Sequence, residues 1–546
     1  MYSYTFDDIL EEAGKFGRSQ KRIFALLCMV SMPWAGVYVG IVFQGFTPEH
    51  WCRDSGVRQI QKSCGWNLMD TRKITVPVVN TSGVLVHSQC EQYELDWNAT
   101  GLTCDNPESD LTDALRSKAP MTSCKEGWEY DYKGRQSFVT EFDLVCADAW
   151  VVDMYQATLN VGFFIGSIAI GYLADRFGRK ASFLVSNLLN GIFGILVAWS
   201  PNWVSMLVFR ALYGFGVKGG WVAGYVLITE LVGVEYRRTV GVVYQMFFSV
   251  GILILPLISY FIKDWRWLQV VITAPYILFL SYYWFIPESP RWLLSQHNAK
   301  KAVEITEAIA KENKKTLSKN IEVRNYATVD PSVNNWCLSS RFTSAVVYQG
   351  LIMRLGILGG NVYIDFLISG LVEFPAAFLI LFTIDRIGRR LPFATANIVA
   401  GAACFITAMI PETMFWFKTA VACIGRLGIT MAFEMVVFVN TELYPTFVRN
   451  LGVSVCSTLC DIGGIVAPFL LYRLAAIWLE LPLIIFGALA FLAGALVLLL
   501  PETRGVPLPD TIDDIEFPEK SKELRRKEMI MLLPTTTMTN KEPETV

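Results

Sequence analysis

The sequence predicts an all-α polytopic membrane protein: twelve helices in two six-helix bundles, with a large disulfide-bonded loop after the first helix. Three observations carry this. Apolar runs long enough to cross a bilayer core recur along the chain, and its 546 residues are 53% hydrophobic with a mean hydropathy of +0.39. Charged motifs repeat at a near-constant separation in the two halves. Six of the twelve cysteines, with both glycosylation sequons, fall in one polar segment.

Residues 1–21 read as a cytosolic N-terminus. The first bundle, 22–286, holds spans near 22–45, 150–174, 181–199, 203–228, 239–262 and 265–286. A cytosolic linker over 287–341 leads to the second bundle, 342–500, with spans near 342–360, 363–384, 392–410, 415–440, 450–472 and 476–500. The tail, 501–546, is cytosolic. The first span is too long for a signal peptide and lacks a small-residue cleavage site, so it reads as a retained anchor. Basic clusters at Lys15, Arg18, Lys21 and Arg22, at Arg237 and Arg238, and at Arg386, Arg389 and Arg390 all fall on one side of a twelve-span topology. The positive-inside rule makes that side, and both termini, cytoplasmic in a plasma-membrane protein.

The segment from Phe46 to Asp148 then lies outside. It carries ten Lys/Arg against sixteen Asp/Glu, a net of −6. Cys52, Cys64, Cys90, Cys104, Cys124 and Cys146 form an even set that implies a disulfide framework. Fifteen pairings satisfy it, and the sequence does not choose among them. The sequons are Asn80-Thr-Ser82 and Asn98-Ala-Thr100. A loop this large also offers a surface for homo-oligomerisation.

The two halves echo each other. Asp175-Arg176-Phe-Gly178-Arg179-Lys180 after span two matches Asp385-Arg386-Ile-Gly388-Arg389-Arg390 after span eight. Arg210 matches Arg426, Thr229-Glu230-Leu matches Thr441-Glu442-Leu, and Pro287-Glu288-Ser-Pro290-Arg291 matches Pro501-Glu502-Thr503-Arg504. The offsets are 210, 216, 212 and 214 residues. A constant offset over four motifs indicates a duplicated bundle, and in such parallel repeats substrate binds near midplane between the halves. In the Asp-Arg-x-Gly-Arg element, glycine permits a tight turn, and the arginines can bridge neighbouring helices as a gate.

These motifs resemble the major facilitator superfamily. A narrower resemblance, to the organic cation transporters of solute carrier family 22, rests on the long cysteine-rich loop and on Pro287-Glu-Ser-Pro-Arg-Trp292. Phe138-Val-Thr-Glu-Phe-Asp-Leu-Val-Cys146, Asn440-Thr-Glu-Leu-Tyr-Pro-Thr-Phe-Val-Arg-Asn450 and Cys460-Asp-Ile-Gly-Gly464 also carry it. The stretch from Thr343 to Gly356 leans toward the monoamine-carrying type. The resemblance covers nearly the whole chain except about 316–341. It implies sodium-independent facilitated diffusion of small organic cations, such as monoamines and quaternary ammonium ions.

Asp461 lies mid-span, where a carboxylate costs roughly 2.5–3.5 kcal/mol on insertion scales and usually faces a cavity or a partner. It is either a cation-recognising group or a structural carboxylate paired with a basic residue. The resemblance implies the first, and places Lys218, Trp221, Tyr225 and Thr229 on the cavity. Their three- and four-residue spacing sets them on one helix face. Trp and Tyr faces there attract an ammonium by roughly 0.5–2 kcal/mol each; the alternative is ordinary aromatic packing. Lys218 is odd in a cation site, and one account pairs it with Asp461 until substrate competes for the carboxylate. Glu434 resembles a position that varies with substrate preference. Tyr38, Gln245 and Phe248 match cavity positions. Glu373 and Arg426 are cavity groups or a buried ion pair, and the pair is favoured for Arg426 because an unpaired cation would oppose the substrate.

Other classes are disfavoured. No Gly-x-x-x-x-Gly-Lys loop, metal-ligand spacing or nucleophile triad occurs, and the three histidines (His50, His87, His297) lie outside the spans. No enzyme activity, cofactor, metal or nucleic-acid partner is expected; the partners are organic cations and lipid. Glu544-Thr545-Val546 has the form of a PDZ ligand, against a plain disordered end. From Asn298 to Lys315, apolar residues at helical spacing read as a short amphipathic helix. Span seven breaks the family pattern: Glu322 to Arg341 is polar, and Arg341 stands where the family carries a cavity tryptophan. The remaining 19 residues, with Arg354 among them, barely span the core at about 1.5 Å per residue. Two other readings therefore stand beside cation transport: a zwitterion (carnitine-like) or anion carrier on the same fold, and a non-transporting isoform.

Overall fold

The computed structural model describes the chain apart from residues 1–5, 68–71, 73–75, 82–83, 96–103, 105–118, 132–133, 297, 317–342, 349, 352–361, 412–413, 444–448, 479 and 499–546. The first bundle comprises α1 (Arg18–Val39), α2 (Trp150–Phe177), α3 (Arg179–Ala198), α4 (Trp203–Leu231), α5 (Val234–Phe261) and α6 (Trp265–Leu278). In the second, α7 is helical over 343–348. It is followed by α8 (Val362–Arg386), α9 (Arg390–Met409), α10 (Phe415–Leu443), α11 (Arg449–Ile477) and α12 (Leu481–Val497).

Among the described residues, eight helices are long and apolar enough to cross a membrane. Three further spans differ in kind. The sixth does not run as one α-helix to 286: Pro275 near the end of α6 removes an amide donor, and the chain continues as a 3-10 turn over Phe279–Tyr283. The tenth, α10, carries Lys418, Arg426 and Glu434 within its 29 residues. The twelfth, α12, is 17 residues of high apolarity. Beyond 343–348, most of the predicted seventh span lies outside the described residues, as do the polar stretch 322–341, Asn98 and the C-terminal tail.

Small residues set the helix spacing. Between α2 and α4 the backbones approach so closely that a Cβ on Gly162 would lie 2.1 Å from the Ala211 carbonyl oxygen. The repeated charged motif makes the same turn in each half: Gly178 has φ +106° and Gly388 +107°, a region that glycine enters without strain. Outward faces are apolar, with exposed Ile165, Ile168, Phe261, Phe382 and Met409. Exposed Trp150, Trp199, Trp267, Trp416 and Trp478 sit at helix ends on the face that bears the long loop, where indole rings suit a membrane interface.

Among its described residues, the loop forms three two-stranded antiparallel ladders. β1 (His50–Cys52) pairs with β6 (Trp128–Tyr130), β2 (Val78–Thr81) with β3 (Val84–His87), and β4 (Glu91–Tyr93) with β5 (Met121–Ser123). The backbone of Asn80 lies in β2 opposite Leu85. Disulfides join Cys52–Cys124, Cys64–Cys104 and Cys90–Cys146. The last fastens the loop to the chain entering α2.

On the opposite, arginine-rich face, Ala299–Glu312 forms an amphipathic helix that buries Ala302, Thr306, Ile309 and Ala310. Asn313 at its end donates to the Ala13 carbonyl and to Gln20, and accepts from the Ser19 amide. The first part of the linker is thereby docked on the N-terminal half. Peptide mapping without reduction is expected to recover the three cystine peptides above; exchange of any partner would overturn the loop topology.

Candidate functional site

The site is built where the two bundles meet. From α4, Lys218, Trp221 and Tyr225 line one helix face. From α11 comes Asp461. The Lys218 Nζ donates to Asp461 Oδ1 at 2.9 Å, and the two residues are 5% and 4% exposed. This ion pair joins the N-terminal bundle to the C-terminal one. Neither charge is well tolerated alone at that depth: removing one partner strands the other in low dielectric.

Aromatic side chains from four helices surround the pair. Trp34 and Tyr38 lie one turn apart on α1, Phe163 is on α2, Trp221 and Tyr225 are on α4, and Tyr244 and Phe248 lie one turn apart on α5. Trp34 stacks on Trp221 at 4.9 Å and meets Phe248 at 4.8 Å. Trp221 stacks on Tyr225 at 5.8 Å, and Tyr225 meets Tyr244 edge-on at 5.8 Å. The Lys218 ammonium lies 5.7 Å from the Phe163 ring and 5.9 Å from Trp221. The indole N–H groups of Trp34 and Trp221 are buried without acceptors among the described residues.

Two further carboxylates lie nearby. Glu434 of α10 accepts a side-chain hydrogen bond from Gln245 of α5, another contact between bundles. Glu373 of α8 pairs with Arg426 of α10 at 2.8 Å and accepts from the Tyr348 hydroxyl at 3.1 Å. The Arg426 guanidinium also lies 4.7 Å from the Tyr348 ring. Asp461 and Glu373 thus answer Lys218 and Arg426, with Glu434 beside them.

A proline provides a further tie between the bundles. Pro468 in α11 has no amide proton for the carbonyl four residues earlier, that of Gly464. Asn160 of α2 supplies the donor, with Nδ2 at 2.9 Å from that oxygen. Nearer the loop face, Arg473 of α11 pairs with Asp153 of α2 at 3.2 Å. There, too, Phe366 and Tyr363 of α8 pack on Phe43 and Tyr260 of the first half. These contacts join the two bundles at the loop face.

The repeated charged motif of the first half holds a separate cluster on the arginine-rich face. Arg179 reaches Asp175 at 2.9 Å and Glu230 at 3.4 Å. Glu288 accepts from the Arg179 and Lys180 amides, each at 3.0 Å, a carboxylate at a helix N-terminus. Ser289 donates to Glu230, and the Trp292 indole donates to the Asp175 carbonyl. Arg176 is exposed and donates to the Tyr172 hydroxyl. In the second half Arg386 is exposed and Arg389 half-buried, while the Asp385 side chain lies outside the described residues.

Thus Lys218, Asp461, Trp221, Tyr225, Tyr38, Gln245, Phe248 and Glu434 come together. Thr229 does not join them: its hydroxyl is bonded to the Tyr225 and Val226 carbonyls of its own helix, and its carbonyl accepts from Arg237. Trp34, Phe163, Tyr244 and Asn160 were not foreseen. The four-residue spacings Trp34–Tyr38 and Tyr244–Phe248 were visible signals; Asn160 had none short of knowing where Pro468 lies in space.

Known proteins share this architecture. A sequence profile of the Major Facilitator Superfamily matches residues 149–468. Solute carrier family 22 member 2 of Mus musculus is 51% identical over 549 residues, covering 95% of this chain and 98% of its own. Member 3 of Mus musculus is 49% identical, with 94% and 96% covered, and member 1 of Bos taurus 47%, with 99% and 98%. The identities to members 1, 2 and 3 lie too close together to single out one of them. Among solved structures, the proton:xylose symporter XylE bound to 6-bromo-6-deoxy-D-glucose matches with TM-score 0.56 at 17% identity, covering 69% of this chain and 92% of its own. The human organic anion transporter MFSD10 matches with TM-score 0.53 at 12% identity, covering 88% and 99%. At such identities the two structures speak for the fold alone.

Two outcomes are expected in thermal unfolding of the purified chain. Asn160→Ala leaves the Gly464 carbonyl without a donor and costs about 1–3 kcal/mol; Pro468→Ala, which restores an internal amide, recovers most of that loss. Arg426→Met alone costs roughly 3–5 kcal/mol, and adding Glu373→Gln recovers a large part, because the first change strands a buried carboxylate.

Proposed function

Because the chain belongs to the major facilitator superfamily and, within it, to solute carrier family 22, we propose that it carries small organic cations across the plasma membrane by alternating access. It acts as a sodium-independent facilitator driven by the membrane potential. The loop faces the exterior, and both termini lie in the cytoplasm beside the basic clusters.

The observation that carries this reading is the buried Asp461, joined to Lys218 across the seam and ringed by aromatic faces. A carboxylate among Trp and Tyr rings is the chemistry that recognises an ammonium. A substrate cation takes the place of the Lys218 ammonium on Asp461. That exchange breaks an ion pair between the bundles, and so couples occupancy to their separation. Glu373 answers Arg426, which leaves Asp461 to the substrate, and the unsatisfied indole N–H groups can donate to polar groups of varied substrates. A zwitterion would also need a cation for its carboxylate, and Arg426 is engaged with Glu373.

The driving force suffices without a coupling ion. A monovalent cation gains about 2.3 kcal/mol per 100 mV on entering an inside-negative cell, which corresponds to accumulation of some tens-fold.

The test is uptake of labelled tetraethylammonium into expressing cells, normalised to surface protein, with and without potassium depolarisation. Uptake falls several-fold on depolarisation and is unaffected by replacing sodium. Asp461→Asn abolishes it, whereas Asp461→Glu retains part. Lys218→Ala alters both affinity and turnover; unchanged values would sink the exchange step while leaving the substrate class intact.

A further inference from the structure

Arg135 occupies a place ordinarily given to a ligand. It belongs to the long loop, just after a turn at Gly134 (φ +75°). Its neighbour Gln136 donates its amide to the Lys263 carbonyl at 3.0 Å, and Ser137 and Phe138 behind it are fully buried. The backbone at Arg135 is therefore fixed against the α5–α6 connection. Its guanidinium points into three rings, with the carbon 4.3 Å from the centroid of Phe46, 5.2 Å from Tyr363 and 5.8 Å from Phe43. One N–H donates to the Phe43 carbonyl at 3.2 Å.

Among the described residues, no carboxylate pairs with it. Burial pulls its pKa below the ordinary arginine value, yet a guanidinium stays charged at neutral pH. A half-buried cation is thus held by aromatic faces and a carbonyl alone, the arrangement of an aromatic cage for quaternary ammonium. The cage is also composite. Phe43 and Phe46 follow α1 in the first bundle, whereas Tyr363 opens α8 in the second.

We propose that these rings form a second site for small organic cations at the loop face, and that Arg135 is its built-in occupant. The tethered guanidinium fills the cage while the loop face is closed, and an incoming ammonium or guanidinium ligand displaces it as the path opens. The ligand class rests on the transport reading above, but the cage is a separate site from Asp461 and can be examined with that site silenced.

The experiment is saturation binding of labelled tetraethylammonium to membranes containing the full-length chain in an Asp461→Asn background. Asp461→Asn alone binds weakly, since Arg135 holds the cage. Adding Arg135→Gln raises binding roughly tenfold, the scale that ring contacts of this kind supply. Adding Tyr363→Ala as well removes the gain, and Arg135→Lys, which keeps a tethered cation, gives none. Surface biotinylation confirms that each variant reaches the membrane. Absence of a gain with Arg135→Gln at normal surface level, or a gain insensitive to Tyr363→Ala, overturns the proposal. If Asp461→Asn does not lower binding in the otherwise unchanged chain, it is the central-site reading that fails, and the cage is judged by the Arg135 and Tyr363 arms alone.

Discussion

A charge held away from water must be answered within a few ångströms, and in this chain the answer repeatedly comes from another helix. Lys218 is answered by Asp461 across the two bundles, and Arg426 by Glu373 within one of them. Arg179 is answered by Asp175 and Glu230 on the arginine-rich face. Each pair fixes the approach of two helices more narrowly than apolar packing does, since lipid and core side chains are similar solvents for a leucine. The pairs that cross the seam differ in one respect. Their partners belong to the two bundles, and on the alternating-access reading proposed above they hold only as long as nothing competes for them.

On the proposed reading, the surroundings of Asp461 suit cations of different shapes. Ring faces attract positive charge with little directional demand, so the cluster from α1, α2, α4 and α5 supplies affinity without a template. The rings stack on one another, as Trp34 does on Trp221. Directionality is confined to a few groups: the carboxylates and the indole N–H donors.

Much of this was legible in the sequence because it is written in periodicity and charge. The spans, the duplication and the glycine turn at Gly178 and Gly388 follow from local rules. Lys218, Trp221 and Tyr225 could be put on one face because helical spacing is local too. Thr229 shares that spacing, yet its hydroxyl turns back onto its own helix. Periodicity places a Cβ but does not say which acceptor a short polar side chain will choose. The disulfide pairing was illegible because it depends on which strands of the loop meet. Asn160 was illegible because its role is defined by a missing amide 308 residues away, at Pro468.

That missing amide bears on kinetics. A long helix without a break must move as one piece, so everything it touches would have to let go together. In α11 the proline leaves a joint just beyond Gly464, with Asp461 on one arm and Arg473 on the other. The buried contact to Lys218 and the contact from Arg473, whose side chain is 57% exposed, can therefore be broken one after the other. The barrier is then set by the more costly of the two steps and not by their sum. An exposed pair contributes up to about 1 kcal/mol, and each 1.4 kcal/mol spared is about a tenfold gain in rate. On the alternating-access reading proposed above, a single imino acid in a membrane helix thus permits a stepwise opening in place of a concerted one.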